Sequence, residues 1–588
     1  MLAMGEGSTS RRSLLVLCLV LAVLSSLLVV RARHGIEWFG DEAYALDTPM
    51  RYIAGDRPII DSWESHFSSA MLLTPFVGIL EKSAPNREGI VLHFRYLFIA
   101  LQALYAACVW LLLRRLSGTW WAIAIAGTVF LYLPFFYVFP YYNNIAVATF
   151  TISTLLVLRG FSGSTSHRGR FLVGGGIMSA VGAISYPPMV IALPLFLLGI
   201  VLESRAQHDQ GSDVWRAVRM YSIGAFAALS VFLAITLVSS GWQHLAQALP
   251  NFTDPVDRDL SLGAIAIAFQ KTASVMIAPV AAAIAFLLYA FVRGRKRASA
   301  VTAIALTIAT SVVTAAALYR LHVSWLHFFD MPEAVAFGVG TAVLLLPMLT
   351  RRPPSTYRYL RLLCLPTLGL WVGTMLGSHE GFETATMPTV ILMIAAILAL
   401  IEAFDIERQS SDSNLSPSAM PTVLATGSMA LLIAFFLYAS TQYVAGDAAV
   451  RQLDALIDSG PYKGISTTRA NVEQYENYMK VLGPMQSEPG RIAFVEEFPL
   501  GYLLSGRRPG TYSVWTTYAR GNRWQRYLDL TGNYPQTIVA TRVWGYGSAS
   551  DAEKVNAVTV PPPFGLTEFT KKYVERYEDA NFIVYERR

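Results

Sequence analysis

Long apolar runs separated by short polar connections fill residues 1–444. Each run is close to the ~20 residues that cross a hydrocarbon core of about 30 Å as a helix. The spacing predicts thirteen spans, at 14–31, 91–113, 119–138, 144–160, 172–184, 187–202, 219–239, 263–291, 299–319, 333–349, 361–376, 385–403 and 422–441. Beyond residue 444 the pattern turns polar. Apolar stretches at 491–495, 537–541 and 581–585 read as strands, with helical stretches at 470–482 and 522–530 between them. Strands alternating with helices favour a layered α/β domain over a sandwich. The expected architecture is therefore a polytopic α-helical membrane protein, residues 1–444, followed by an α/β domain, residues 445–588.

Two segments resist simple counting. Tyr186-Pro187-Pro188 interrupts a long apolar run, and proline breaks the helical hydrogen-bond ladder. Two short spans or one kinked helix would both fit. Charge arbitrates, because cytoplasmic loops are enriched in Lys and Arg. With two spans there and a cytoplasmic N-terminus, Arg114-Arg115, Arg168, Arg170, Arg205, Arg216, the Arg293–Arg297 cluster, Arg351, Arg352, Arg358 and Arg408 all fall on one side. The tail then lies outside. The second segment, 68–80, is apolar but short and contains Pro75, which suits a helix lying at the outer interface. It belongs to a long first outer loop, 33–90, expected to hold two or three short helices.

Composition agrees with a membrane protein: 54% of the 588 residues are hydrophobic and 15% charged. The three cysteines, Cys18, Cys108 and Cys364, all lie in apolar runs, so no disulfide or thiolate metal site holds the tail. Such a chain suits a bacterial plasma membrane. The net charge of +6 traces to loop arginines, with no basic patch of the kind that binds nucleic acid.

The candidate chemistry begins just beyond the first span. Asp41 and Glu42 stand side by side, where a carboxylate can take a proton from a hydroxyl, orient it, or bind a metal. An acidic helix start is the other reading of this pair. The chain continues with Ala43-Tyr44-Ala45-Leu46, Pro49-Met50-Arg51-Tyr52-Ile53 and Gly55-Asp56, then Asp61-Ser62-Trp63-Glu64-Ser65-His66-Phe67. Arg95 heads a long span that ends in Leu113-Arg114-Arg115-Leu116-Ser117-Gly118.

This run resembles the GT-C superfamily of membrane glycosyltransferases, in particular the branch of lipid A aminoarabinose transferase and protein O-mannosyltransferases. The resemblance is best over the first 160 residues and absent in the tail. It implies a donor sugar carried on polyprenyl phosphate, Asp41 as catalytic base and Glu42 as its supporting neighbour. A single displacement of the carrier phosphate at the outer membrane face would invert the anomeric centre, and aromatics in the tail, suited to stacking on sugar faces, favour a cell-envelope glycan or glycolipid acceptor over a protein. Several relatives carry a second Asp at the top of the fourth span; here Pro140-Tyr141-Tyr142-Asn143-Asn144 stands there. Asn143 and Asn144 can hydrogen-bond a sugar or phosphate, or cap the next helix, but neither can act as a base.

Donor phosphate or sugar contacts are expected from Arg51, Arg57, His66, Lys82 and Arg95, since guanidinium groups pair with phosphate oxygens. Snorkelling to the interface is the other reading of Arg95. His379 and Glu380, in the Gly377–Glu383 loop, are further candidates. Trp515, Tyr518 and Trp524 are candidate stacking platforms for an acceptor sugar, though aromatics also fill cores. No cofactor is required by this scheme; a divalent metal on His66, His379 and carboxylates stays open, without any tight ligand spacing to support it. A transporter with a broken helix at Tyr186 and a non-enzymatic envelope scaffold are the competing functions.

Overall fold

The computed structural model describes residues 6–252 (apart from 38, 39, 65, 164 and 208), 263, 302, 304–309, 311–313, 335–340, 356–377, 387–410, 419–495 (apart from 443, 445 and 446), 498–515, 523–541 and 571–588. The expected spans 263–291, 299–319 and 333–349 lie largely outside these residues.

Among the described residues, seven helices are long and apolar enough to cross a membrane: Arg11–Ala32, Ile90–Leu113, Tyr142–Ser162, Pro187–Ala206, Gly211–Ser240, Tyr357–Leu376 and Thr422–Gln442. The thirteen spans read from the sequence are not confirmed by this count, which covers the described residues only. In chain order the helices are α1 (Glu6–Ala32), α2 (Asp41–Ile53), α3 (Phe67–Ser83), α4 (Ile90–Leu113), α5 (Thr119–Leu131), α6 (Tyr142–Ser162), α7 (Thr165–Ser185), α8 (Ala192–Ala206) and α9 (Gly211–Ser240). Further helices run over Thr389–Ser410 and Ala419–Gln442. The outward face of α1 is a stripe of Leu15, Leu19, Val23 and Val30, as a helix facing lipid requires.

One expected span is cut short. The run 119–138 leaves the helix at Leu131, because Pro134 opens a 3-10 turn in which Phe135 has φ 57°. Residues 132–141 cross the end of the bundle as an irregular aromatic strap. Conversely, the break at Tyr186 is real. α7 stops at Ser185, a 3-10 turn covers Pro187–Ile191, and α8 follows. Arg168 at the start of α7 pairs with Asp209 just after α8 at 2.5 Å, so the chain doubles back and these are two helices. α7 owes its modest hydropathy to glycines that admit a neighbour: a Cβ on Gly176 would sit 2.0 Å from the Tyr221 carbonyl of α9, and one on Gly224 equally close to Val173.

The bundle has two distinct ends. At one, Arg168, Asp209, Glu203, Arg358 and Arg361 interlock. At the other, Ser185 bonds the Tyr142 carbonyl (2.8 Å), Ser240 bonds the Pro58 carbonyl (2.8 Å), and Ser68 bonds the Ile184 carbonyl. The first loop and the tail sit on this second end. α3 occupies the segment expected to lie at the interface; it buries Leu73 and Val77 while Phe76 and Ile79 stay exposed.

The tail forms a two-stranded ribbon, β1 (Ala455–Leu456) and β2 (Ser466–Thr467). Beyond it lies a mixed sheet of β3 (Arg491–Val495), β4 (Pro535–Thr541), β5 (Tyr573–Glu578) and β6 (Phe582–Arg587) in the order β3-β4-β6-β5. β3 and β4 are parallel, and β6 runs antiparallel to both its neighbours. Both faces of β3 are buried, which explains its unbroken apolar run. Alternate residues serve two cores. Ile492 and Phe494 join α2, α4 and the helix Arg469–Leu482. Ala493 and Ile538 join Trp63 of the first loop and the helix Arg523–Thr531. The tail does not close a core of its own; the first loop completes both faces.

Candidate active site

Gly40 adopts φ 87°, a left-handed turn that starts α2 with Asp41 as its first residue; its α-carbon faces Pro499 of the tail so closely that a Cβ would approach to 3.0 Å. The Asp41 carboxylate is half-buried at the end of the bundle. The Tyr137 phenol donates to its Oδ2 at 2.7 Å and the Tyr141 phenol to its Oδ1 at 2.8 Å. Both phenols come from the strap 132–141. Burial, then the Asp41 charge, pushes the Tyr141 phenol well above its ordinary value, so it stays a hydrogen donor. Sequence reasoning missed Tyr137 by running a span through Pro134, and in the loop 140–144 it chose Asn143 and Asn144 over their neighbour Tyr141. Two prolines six positions apart, at 134 and 140, with aromatics between them were the available signal.

Glu42 faces the other way and is fully buried. Arg95 grips it through two parallel bonds of 2.7 Å. The remaining Arg95 donors go to the carbonyls of Ala32 (2.8 Å), His34 (3.4 Å) and Gly35 (2.9 Å). All the Arg95 N–H groups thus point at protein acceptors. The guanidinium expected at a lipid phosphate ties the end of α1 to the start of α2 instead. The Glu42 backbone N–H bonds Glu37 at 3.1 Å, adding a second brace.

Arg51 is likewise buried. It pairs with Asp56 at 3.0 Å and donates to the carbonyls of Asp61 and, at 3.1 Å, Thr511. Asp56 is shared with Arg491 of the tail at 2.7 Å. Arg57, at the rim, holds Asp61 at 2.9 Å. Burial opposes the Asp61 charge, but the Arg57 bonds outweigh it and hold this carboxyl below its usual range. These arginines clasp the first loop to the tail.

Among the other expected contacts, His66 stacks on Tyr142 with ring centroids 3.6 Å apart and lies edge-on to Tyr44. Asn143 and Asn144 occupy the first turn of α6, next to Tyr141; the side-chain carbonyl of each is buried without a hydrogen-bond partner. Lys82 is exposed at the end of α3, apart from the arginine clasp. Trp515 leans on Tyr44 at 5.9 Å and is half-buried. Trp524 is a correction: it is a core residue, 1% exposed, bonded to the Gly510 carbonyl and packed with Trp63 and Tyr527, so no acceptor can stack on it. His379, Glu380 and Tyr518 lie outside the described residues.

The geometry around Asp41 supplies hydrogen-bond donors to both its oxygens. Among the described residues no three His, Cys, Asp or Glu side chains converge.

No family model and no curated protein matches the chain. Among solved structures, the oligosaccharyltransferase of Archaeoglobus fulgidus in complex with Zn and sulfate matches at 11% identity and TM-score 0.46, over 97% of this chain and 73% of that one. The same protein tethered to an acceptor peptide containing the NVT sequon matches at 12% identity and TM-score 0.45, over 92% of this chain and 72% of that one. ArnT from Cupriavidus metallidurans in the apo state matches at 12% identity and TM-score 0.45, over 98% of each chain. These likenesses are distant, and no residue here takes its role from them.

Proposed function

We propose that the chain is an inverting glycosyltransferase that moves a sugar from a polyprenyl-phosphate donor to a glycan or glycolipid acceptor at the outer face of the plasma membrane. One observation carries this reading. A half-buried carboxylate, Asp41, is set at the end of the bundle opposite the basic clusters and is oriented by two neutral phenols. Asp41 takes or orients the proton of an acceptor hydroxyl. That oxygen bonds to the anomeric carbon, the bond from that carbon to the phosphate oxygen breaks, and polyprenyl phosphate leaves as an anion. A single displacement inverts the centre. Tyr137 and Tyr141 hold both carboxylate oxygens, so the base meets its substrate without reorienting. His66, Asn143 and Asn144, adjoining through Tyr141 and Tyr142, are the groups we assign to the donor. Arg95 and Arg51 serve the scaffold.

The test is a turnover screen of the purified full chain against a panel of polyprenyl-phosphate sugars, with the product's anomeric configuration read by NMR. Release of prenyl phosphate with an inverted product supports the reading. No release with any donor, or a retained configuration, overturns it.

A further inference from the structure

The segment Thr511–Trp515 reaches the site from the tail, yet it belongs to no helix or strand. Its backbone groups must find partners elsewhere, and they find them in the first loop. Arg51 donates to the Thr511 carbonyl (3.1 Å), and the Trp63 N–H donates to the Tyr512 carbonyl (2.7 Å). Glu64 supplies the rest. Its Oε1 accepts the Val514 N–H at 2.6 Å, and its Oε2 accepts the Ser513 hydroxyl at 2.9 Å. The same hydroxyl oxygen accepts the Trp515 N–H at 3.0 Å. A continuous relay therefore runs from Glu64 through Ser513 to the backbone of Trp515.

The far end of that relay meets the candidate active site. The Trp515 ring tilts at 43° against Tyr44, one turn along α2 from Asp41. Tyr44 in turn lies edge-on to Tyr141, whose phenol bonds Asp41. Glu64 itself is 3% exposed, far too buried to meet a substrate. Leaving a carboxylate at such depth costs free energy unless bonds offset it. Its bonds to the tail, with Arg51 Nη1 at 3.9 Å, are that offset.

We infer that Glu64 is a positioning residue: through Ser513 and Val514 it sets Trp515 against Tyr44 as the acceptor-side wall of the Asp41 site. This rests on the proposed transferase function. Trp515 then meets the acceptor sugar by its face, while Glu64 touches no substrate. The acceptor half of the site is shared between first loop and tail and exists only when the two are joined.

The experiment uses the full chain in detergent and three variants. Ser513→Ala breaks the relay without stranding a buried charge. Glu64→Ala removes both bonds. Glu64→Gln keeps an acceptor for the Val514 N–H and a donor for the Ser513 oxygen. Amide hydrogen exchange over 511–515 is compared with that over 491–495, and steady-state kinetics are then measured with the best donor of the panel. The inference expects faster exchange at 511–515 alone in Ser513→Ala and Glu64→Ala. It also expects an acceptor KM raised about tenfold, with kcat and donor KM within about twofold, the pattern of lost uniform binding. Glu64→Gln should restore both readouts. Unchanged exchange at 511–515 in Ser513→Ala overturns the clamp, even if Glu64→Ala fails to fold. Faster exchange with an unchanged acceptor KM overturns the role in the site. If no donor turns over, the transferase reading fails, while the exchange data still decide the clamp.

Discussion

The two ends of the helical bundle treat a carboxylate in opposite ways. At the basic end, Glu203 is 1% exposed and gripped by Arg358 at 2.8 Å and Arg361 at 2.7 Å, with Gln207 adding a bond at 3.0 Å. Charge meets charge, and the result is a latch between α8 and the helix Tyr357–Leu376. At the other end Asp41 stays half-buried and takes neutral phenols on both oxygens. Its neighbour Glu42 repeats the Glu203 arrangement with Arg95. An acid bonded face-on to guanidinium is committed to structure, because removing its charge would strand a buried cation. An acid fixed by phenols keeps its orientation, and Asp41 is only half-buried. In the proposed mechanism the adjacent Asp41 and Glu42 thus divide reactivity from support.

That contrast can be broken at several points. Arg95→Met should show the largest effect on stability, about 3–5 kcal/mol, because it leaves Glu42 buried and unpaired. Thermal unfolding in detergent measures it; a loss below about 1 kcal/mol would mean that Glu42 is not the structural partner. Tyr137→Phe and Tyr141→Phe should each slow transfer about tenfold or somewhat more, the worth of one hydrogen bond to a charged group, with little change in melting. A variant with unchanged kcat/KM would remove the phenols from the mechanism. Arg358→Gln should cost about 1 kcal/mol of stability and leave transfer intact, because Arg361 still pairs with Glu203 and Arg358 is partly solvated. A fall in kcat there would erase the division of labour between the ends.

A pH-dependent effect concerns Asp47, buried in α2. Burial, opposed by Arg87 and Arg51, pushes its carboxyl well above the ordinary 3.8. A raised carboxyl binds its proton more tightly when folded, so its cost is absent below the ordinary value and grows as pH rises through the folded one. Asp47→Asn should therefore match the parent near pH 4 and melt higher near neutrality. A parent that gains stability over Asp47→Asn as pH rises would reverse this sign.

Much of the architecture was legible from local pattern. The strands at 491–495, 537–541 and 581–585 appear as β3, β4 and β6, and the helical stretches at 470–482 and 522–530 as Arg469–Leu482 and Arg523–Thr531. The turn at Tyr186 was legible because proline acts on its own backbone. What stayed hidden depended on distant partners. Arg95 reads as a lipid-facing guanidinium until Glu42, 53 positions away, is seen against it. Trp524 reads as an exposed platform until Trp63 covers it. The tail reads as an α/β domain, yet the first loop packs against both faces of its sheet. Tyr137 was lost to a span count that ignored Pro134, and Tyr141 was passed over for Asn143 and Asn144 beside it.

The central claim is that Asp41 is the reacting carboxylate. The most direct test compares prenyl-phosphate release by the full chain and by Asp41→Asn in the same detergent, with matched melting curves. The account predicts transfer slowed by at least about a hundredfold with folding intact. Transfer within about threefold of the parent would contradict it.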